Sequence, residues 1–369
     1  MNAITPLSEK YQTIIKSLHS QFNNYEVPIV TITKRSKTEV GTIFERINNT
    51  GTDLTTLDLM VAWTWSEEFH LQEKITELLE LLEGKQFSKL PQKTILQCLS
   101  AVLQKSTSTK AILALDPKQV HDQFEGLSAS MERAIDFLST QLNATEDFLP
   151  HVQQLIPLTY FFSTVNAASD KQITWLKQWF WKTTFSRRYA AQTDEKMDSD
   201  IELFDQFLSG NGEGLGKYAY TVTGPQLVKQ TFTRSSPLVR GFLLLLAQNR
   251  PLDLVSCGVV DLGRALSEFN SKEYHHIFPR AYLKKRAFPS DRINSLCNFC
   301  FLTADSNKKI SNRSPSDYFT ELIPQDRLAD VLDSNLMPLS KDVYEKNDFD
   351  EFLNRRSQRI LDFLDKQLL

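Results

Sequence analysis

Apolar residues recur at intervals of three and four positions along much of the chain. Runs with this spacing cover residues 54–82, 94–103, 120–142, 152–165 and 173–185. Such spacing gathers apolar side chains on one face of a helix, so it predicts about six packed helices. Pro91, Pro117 and Pro150 fall between the runs, whereas Pro157 lies within one. The pattern therefore predicts an all-α body over residues 66–210.

Two further apolar runs follow in the second half of the chain. Residues 238–248 are strongly apolar, which predicts a buried helix. The apolar positions between Phe349 and Leu368 predict an amphipathic helix that packs back on the domain before it. Residues 211–216 are the most glycine-rich stretch, and we predict a linker over residues 211–235. Because this stretch lacks the Lys-Ser/Thr ending of a P-loop, it is given no phosphate-binding role.

The first 65 residues show a different pattern. Residues 27–32 alternate β-branched side chains and predict a strand, and Asn48, Asn49 and Gly51 predict a turn. Thr55 then predicts the start of a helix, with Asp58 at the capping-box position.

Composition predicts a folded, cytoplasmic protein. The chain has 369 residues, of which 41% are hydrophobic and 11% aromatic, enough for two or three domains with cores of their own. It has no apolar run of about 18 residues and no basic-then-apolar start, so no membrane contact is expected. Four cysteines suit a reducing compartment. Cys297 and Cys300 form a single CxxC, which we interpret as core packing, with a redox pair as the alternative.

Aromatic and cationic residues alternate over residues 175–189. Trp175, Trp179 and Phe180 fall on one side at helical spacing, with Lys177, Lys182, Arg187 and Arg188 among them. Aromatics with interleaved cations can stack on single-stranded or flipped bases. A core helix with a charged edge is the interpretation that the one-sided aromatics favour.

The candidate catalytic and metal-binding residues lie in a segment that begins with two adjacent histidines. His275 and His276 precede Ile-Phe-Pro, and Asn294, Asn298, Asn307 and Asn312 follow. The imidazole of His276 has an ordinary pKa near ~6.5, so it can serve as a general base for activating water. His275 and Asn307 are candidate ligands of a divalent cation. Asn298 is expected to hold the intervening loop through its backbone and so to orient the base.

The donor types indicate which metal would fit. One imidazole, an amide oxygen and water suit Mg²⁺ or Mn²⁺ better than a closed zinc site, which uses cysteines or several histidines. The alternative is that the histidines are structural and the asparagines serve turns and caps.

Local charge favours a phosphate-binding surface. Residues 264–313 contain ten Lys or Arg against four Asp or Glu, in a chain of net charge −3. Arg280, Lys308, Lys309 and Arg313 are the candidate DNA-phosphate contacts. The same charges could also form an ordinary solvated face.

The run HHIFPRAYL, then INSLCNFCFLT, then NKKISNRSPSDYF, resembles the C-terminal HNH nuclease domain of GmrSD-type restriction endonucleases over residues 271–319. The resemblance implies a ββα-metal fold. It also implies that His276 is the base, that His275 and Asn307 bind metal, and that Asn298 is the middle asparagine of the motif.

A second segment resembles the same family. Residues 41–52, GTIFERINNTGT, are similar to the end of its ParB-like nucleotide-binding domain, with Arg46 and Asn48 at family positions. The DGQQR-type segment that normally precedes it does not occur in this sequence. We therefore expect the chain to correspond to the later part of a longer architecture, and NTP hydrolysis is not predicted.

The sequence thus predicts a mainly α protein with a small α+β part. We expect a ParB-like remnant over residues 1–65, a helical domain over 66–210, a linker over 211–235 and an HNH domain with a C-terminal helix over 236–369. The predicted function is a cytoplasmic, metal-dependent HNH endonuclease acting on DNA in restriction or phage defence, with a second subunit or a homo-oligomer as potential partners. The alternatives are a non-catalytic or partner-dependent DNA-binding or scaffold subunit, and cleavage of RNA.

Overall fold

A computed structural model describes residues 9–26, 29, 31, 33, 39–40, 43, 55–211, 214–262 and 274–369. The described protein is mainly helical, with a single two-stranded sheet, which confirms the predicted mainly α class. The first helix, α1, spans Glu9–Asn23 and buries none of its residues.

Eight helices of the body follow α1, and the apolar spacing predicted most of them. They are α2 (Thr56–Thr64), α3 (Leu71–Glu83), α4 (Gln92–Gln104), α5 (Thr109–Leu113), α6 (Pro117–Leu142), α7 (Leu155–Thr164), α8 (Asp170–Phe185) and α9 (Thr193–Leu208). The run predicted over residues 54–82 is two helices, because a bridge between Ser66 and Phe69 turns the chain between α2 and α3. Pro157 is tolerated because it lies in the first turn of α7, where its missing N–H costs no helical hydrogen bond.

Local capping determines where several helices begin. Thr55 caps α2 and forms the predicted capping box, since its hydroxyl accepts from the Asp58 N–H and the Asp58 carboxylate accepts from the Thr55 N–H. Ser169 and Gln172 form the equivalent box at α8, and Asp116 caps α6. Each cap satisfies N–H groups that have no partner within the helix.

The second half of the chain contains the sheet and shorter helices. The elements are α10 (Gly224–Lys229), α11 (Pro237–Gln248), β1 (Tyr274–His276), α12 (Arg280–Lys285), α13 (Ser290–Ile293), β2 (Phe299–Phe301), α14 (Ala304–Ile310), α15 (Pro315–Glu321), α16 (Leu328–Ser334), α17 (Asp342–Glu345) and α18 (Phe349–Gln367). The predicted amphipathic helix at the carboxyl end is α18. It buries Phe352, Leu353 and Ile360 and contacts α8 and α10.

The buried apolar residues form one continuous core from Leu57 to Leu364. Helix α11 lies within it, and a run of leucines from Leu243 to Leu246 is fully buried, as the sequence predicts. Gly241 lets α11 approach α8 closely, because a Cβ there would lie 2.5 Å from Cγ2 of Thr184. The body and the segment that contains the sheet therefore share a hydrophobic interior.

The stretch predicted as a linker, residues 211–235, is instead partly folded and packed. It contains α10, whose Leu227 and Val228 are buried and which packs on α18. Thr231 then forms an antiparallel bridge with Ser295, and the Phe232 N–H donates to the Asn294 carbonyl at 2.8 Å. The glycines suggested a flexible connection, but the apolar residues that follow them are buried by tertiary packing.

The aromatic segment predicted over residues 175–189 is a core helix. Trp175, Trp179 and Phe180 are all buried in α8, and the Trp175 ring stacks on Phe207 with 4.1 Å between centroids. Arg188 pairs with the buried carboxylate of Asp200 at 2.8 Å. These rings are therefore covered by protein and do not offer a surface for bases.

Several sequence predictions lie outside the described residues. They include residues 27, 28, 30 and 32 of the strand predicted over residues 27–32, the ParB-like segment 41–52 apart from Ile43, and the family positions Arg46 and Asn48. None of the helices in the described ranges is long and apolar enough to cross a membrane.

Candidate functional site

The paired histidines lie on a short antiparallel ladder. In this ladder His275 pairs with Cys300 and His276 with Phe299. Successive residues of a strand point to opposite faces, so the two imidazoles project from opposite sides of the sheet. Helix α14 begins three residues after β2 ends. Residues 274–310 therefore follow the order strand, strand, helix, and we refer to them as the ββα unit.

The ring of His276 is held by two neighbours. Its Nε2 atom lies 3.0 Å from the side-chain oxygen of Asn294, and its ring packs on Phe299 with 4.4 Å between centroids. An amide oxygen only accepts hydrogen bonds, so this contact assigns the proton to Nε2. The Nδ1 atom of the neutral ring then keeps the free lone pair, which is the atom that can take a proton from water.

The environment of His276 favours the neutral ring. Burial lowers the pKa of His276 below its ordinary value of 6.5, and the positive charge of Arg280 acts in the same direction. The hydrogen bond with Asn294 opposes both effects and raises the pKa in part. The net shift is downward, so the ring is available as a base at neutral pH.

Asn298 holds the loop after β1 through its backbone, as the sequence predicts. Its side-chain oxygen accepts from the Phe278 N–H at 2.8 Å, and its amide nitrogen donates to the carbonyls of Phe278 and Ile293 at 3.2 and 3.0 Å. Its own carbonyl accepts from the Ile277 N–H at 2.8 Å. The side chain is fully buried, so Asn298 fixes the loop and does not face a substrate.

Residues from the carboxyl-terminal helices support the same loop and strand. The hydroxyl of Tyr318 donates to the Ile277 carbonyl at 2.8 Å. The fully buried guanidinium of Arg356 donates to the carbonyls of Cys297 and Phe299 at 2.8 and 2.7 Å and to that of Asn335 at 3.0 Å. These contacts fix the backbone on both sides of Asn298.

Asp253 anchors the amino end of α14. One carboxylate oxygen accepts from the N–H and the hydroxyl of Thr303, both at 2.9 Å, and the other accepts from the Ser306 hydroxyl at 2.5 Å. Burial acts to raise the pKa of Asp253, but hydrogen bonds from Ser306, Ser256 and Thr303 outweigh it and hold the pKa below 3.8. A buried, ionised Asp253 therefore positions the helix that carries Asn307.

His275 lies on the first strand of the ββα unit and Asn307 on its helix. His275 is half-buried on β1, and its carbonyl accepts from the Cys300 thiol at 3.8 Å. Asn307 is half-buried on α14, one helical turn after the N-cap Thr303. Their donor atoms, an imidazole nitrogen and an amide oxygen, are compatible with a divalent cation completed by water. No group of three or more His, Cys, Asp or Glu gathers within the described ranges.

The predicted phosphate contacts differ in their surroundings. Arg280, Lys308 and Lys309 are exposed, and none of the three has an ion pair among the residues that the structure describes. Arg313 is also exposed, but it pairs with Glu321 at 2.5 Å, which offsets its charge. Arg280, Lys308 and Lys309 are therefore the stronger candidates for phosphate contacts.

The CxxC pair lies in the core of the ββα unit. Cys297 is fully buried and Cys300 is 1% exposed, and burial raises the pKa of each thiol to about 12. Protonated, enclosed thiols of this kind are poor nucleophiles. The interpretation as core packing agrees with this placement.

Three residues that support the site had no role in the sequence analysis. Asn294 was noted only as one of four asparagines, yet it is the side chain that bonds His276. Asp253 and Arg356 contact the ββα unit from positions 50 or more residues away in sequence. A single Asp after an apolar helix, and one of three arginines in an amphipathic helix, give no local signal of these contacts.

Comparison with known proteins gives a distant relative. No family model matches the chain. An uncharacterized protein of Methanocaldococcus jannaschii is 25% identical over 385 aligned residues, which cover 92% of this chain. The chain spans 64% of the length of that relative.

Proposed function

We propose that the protein is a metal-dependent HNH-type endonuclease that cleaves DNA phosphodiester bonds in restriction or phage defence and acts in the cytoplasm. The proposal rests mainly on one observation. His276 is held by Asn294 on a strand–strand–helix unit whose loop is fixed by Asn298. This arrangement orients a neutral imidazole near the positive charge of Arg280, as hydrolysis of a phosphodiester requires.

In the proposed reaction, Nδ1 of His276 takes a proton from the attacking water. Asn294 keeps the opposite proton on Nε2 and supports the ring as it becomes positive. Asn298 keeps His276 in position by bonding the loop that follows it. Arg280, Lys308 and Lys309 bind phosphates of the substrate.

An imidazole nitrogen from His275 and an amide oxygen from Asn307 are donor types that suit Mg²⁺ or Mn²⁺. A bound divalent cation would supply charge stabilisation for the pentavalent phosphorus and the leaving 3′ oxygen. Cys297 and Cys300 do not compete as zinc ligands, because both thiols are buried and their pKa values are raised to about 12.

Cleavage of supercoiled plasmid tests the proposal directly. Wild type is expected to nick and linearise plasmid with Mg²⁺ or Mn²⁺, and His276→Ala is expected to lose this activity while remaining folded. His19→Ala is the matched control, since His19 is exposed on α1. Modified DNA, unmodified DNA and RNA are compared in parallel. No cleavage of any substrate by folded wild type would contradict the proposal.

The second candidate is a partner-dependent or non-catalytic DNA-binding subunit. The exposed cations Arg280, Lys308 and Lys309 favour DNA binding whether or not the chain cuts. Metal binding separates the two functions. Thermal stabilisation by Mn²⁺ that is lost in His275→Ala supports the nuclease, whereas DNA binding without any metal effect supports the subunit.

A further inference from the structure

A cavity of about 650 Å³ lies between the helical body and the segment that leads to the ββα unit. Its walls come from the end of α8, the start of α11 and α10 with the residues on either side of it. This volume is in the range of small-molecule sites, which is about 300–1,000 Å³. The cavity is separate from the candidate catalytic residues, none of which lines it.

The charge of the cavity wall is entirely positive among the described residues. Arg187 and Lys229 line it, and no Asp or Glu does. Neither cation has an ion pair within the described part of the chain, although most other arginines nearby are engaged. Arg188, for example, pairs with Asp200. Two cations without carboxylate partners at one cavity favour an anionic ligand.

A helix terminus adds to the positive field. Ser236, Pro237 and Leu238, at the amino end of α11, line the cavity. Pro237 has no N–H, and Ser236 makes no side-chain cap, so the N–H groups left without a cap in this 12-residue helix are those of Leu238 and Val239. The amino end of a helix binds anions through such groups and through its dipole.

His151 provides a polar group without a partner. It lines the cavity, and its Nε2 atom has no hydrogen bond to any described residue. Burial lowers the pKa of His151 to about 4, with Arg240 and Arg187 contributing, so the ring is neutral at physiological pH. Because Nε2 is shielded from solvent, a ligand supplies this missing hydrogen bond only if the ring shifts on binding.

The backbone at Arg187 has a φ of +56°, in the left-handed region that glycine adopts most readily. Ten other non-glycine residues of the described chain also have a positive φ. The conformation therefore does not mark the cavity by itself, but it means that glycine fits the backbone at position 187 without strain.

The uncharged residues of the cavity wall suit the base and sugar of a nucleotide. Phe185, Tyr189 and Val222 provide apolar surface, and Gln153 and Gln230 provide amide groups that both donate and accept. Such amides can read the edge of a base. We propose that this cavity binds a nucleotide, with its phosphate taken by Arg187, Lys229 and the amino end of α11, either free or as part of a nucleic-acid strand.

Backbone hydrogen bonds join the cavity wall to the ββα unit. The Gln230 carbonyl accepts from the Leu296 N–H at 2.6 Å, and two residues later Phe232 bonds Asn294 through the backbone. The residue that bonds His276 is therefore attached to a segment that starts at the nucleotide cavity. The binding proposal itself does not depend on nuclease activity.

Calorimetric titration of the full chain tests the proposal. The probes are inorganic phosphate, the deoxynucleoside 5′-monophosphates and a short single-stranded DNA. Arg187→Gly and Lys229→Gln are each expected to weaken nucleotide binding roughly threefold to tenfold, since each removes an exposed charged contact. Arg187→Gly also relieves the backbone strain, so folding should be retained.

Arg250→Gly is the matched control. Arg250 is also exposed and has φ of +49°, but it follows the opposite end of α11, roughly 18 Å from the cavity at 1.5 Å of rise per residue. Binding of free monophosphates that depends on Arg187 and Lys229 supports a free nucleotide. Binding of the single strand alone, with the same dependence, supports a nucleotide within DNA. The proposal is overturned if no probe binds, if phosphate binds as tightly as the nucleotides, or if the two variants bind like the control.

Discussion

The side-chain oxygen of Asn294 lies 3.0 Å from Nε2 of His276, and this contact determines which nitrogen of the imidazole is free. In sequence, His276 precedes and Asn294 follows the loop whose two ends Asn298 bonds at Phe278 and Ile293. The contact therefore depends on the fold of the whole loop. With the proton held on Nε2, only Nδ1 can act as the base.

Removing the Asn294 contact should impair catalysis without unfolding the protein. Asn294→Ala is expected to lower the cleavage rate about 10- to 100-fold, a range typical of residues that orient a catalytic group. Asn294→Asp places a negative charge beside the ring, so the pKa of His276 should rise and the acidic limb of the rate profile should move to higher pH. Plasmid cleavage against pH measures both effects. Asn312→Ala, an exposed asparagine of the same segment, is the control; a wild-type profile in both Asn294 variants would contradict the assigned role.

Arg280 should affect the pH dependence of the reaction as well as DNA binding. Burial and Arg280 lower the pKa of His276 below 6.5. The acidic limb of the wild-type rate profile should therefore have its midpoint below pH 6.5. Arg280→Gln removes a positive charge that opposes protonation, so the pKa should rise and the limb should move to higher pH. Lys284→Gln, an exposed cation one turn further along α12, should leave the midpoint in place. A limb that does not move in Arg280→Gln would show that His276 is not the titrating group.

Asp253 should stabilise the protein through α14. Asp253→Asn keeps the shape but loses charge-assisted hydrogen bonds from Thr303 and Ser306, which we expect to cost about 2–4 kcal/mol in the free energy of unfolding. The folded pKa of Asp253 is depressed, so its contribution is complete above the unfolded value near 3.8 and is lost as pH falls through the folded value. Denaturant titrations should therefore show the full difference from wild type at neutral pH and a smaller one in strong acid. Asp291→Asn, at an exposed site, should change stability little; an equal loss in both variants would exclude a specific role for Asp253.

Arg356 should be among the most sensitive positions for stability. Arg356→Met fills a similar volume but leaves the buried carbonyls of Cys297 and Phe299 without their donor, which should cost about 3 kcal/mol or more. Arg359→Met is a matched control on the same helix, because Arg359 pairs with the exposed Asp333 and such pairs contribute about 1 kcal/mol or less. Equilibrium unfolding in urea compares the two variants. A similar, small loss in both would mean that the buried hydrogen bonds of Arg356 are dispensable.

Local sequence patterns predicted the helices and part of the candidate site. The apolar spacing over residues 120–142 corresponds to α6, and Thr55 with Asp58 forms the predicted capping box, because both depend on neighbours within a few residues. The loop-holding contacts of Asn298 were also predictable from its place between the two strands. The packing of residues 224–232 was not, since the glycine-rich stretch before them, residues 211–216, indicated a linker, while the buried contacts come from α18 and from Ser295.

The site contacts that the sequence did not predict join residues that are far apart in the chain. Asp253 meets Thr303, and Arg356 meets Phe299, across 50 and 57 positions of sequence. Each is a charged residue that the hydrophobic pattern would place at the surface, and each is buried where backbone or hydroxyl groups of the ββα unit bond it. Such residues become visible only when the chain is folded.

The reactivity of the CxxC pair tests whether the core of the ββα unit is closed. Cys98, Cys297 and Cys300 are buried, and burial raises the pKa of each thiol to about 12, so none should react with a thiol reagent in the native protein. Cys257 is half-buried and should react slowly, because desolvation also raises its pKa above the ordinary value. Labelling with an aromatic disulfide followed by mass spectrometry should therefore modify Cys257 alone before denaturant is added, and all four cysteines afterwards. Rapid native labelling of Cys297 or Cys300, or a reversible disulfide between them, would instead favour the redox alternative and would mean that the strand pair carrying His275 and His276 opens readily.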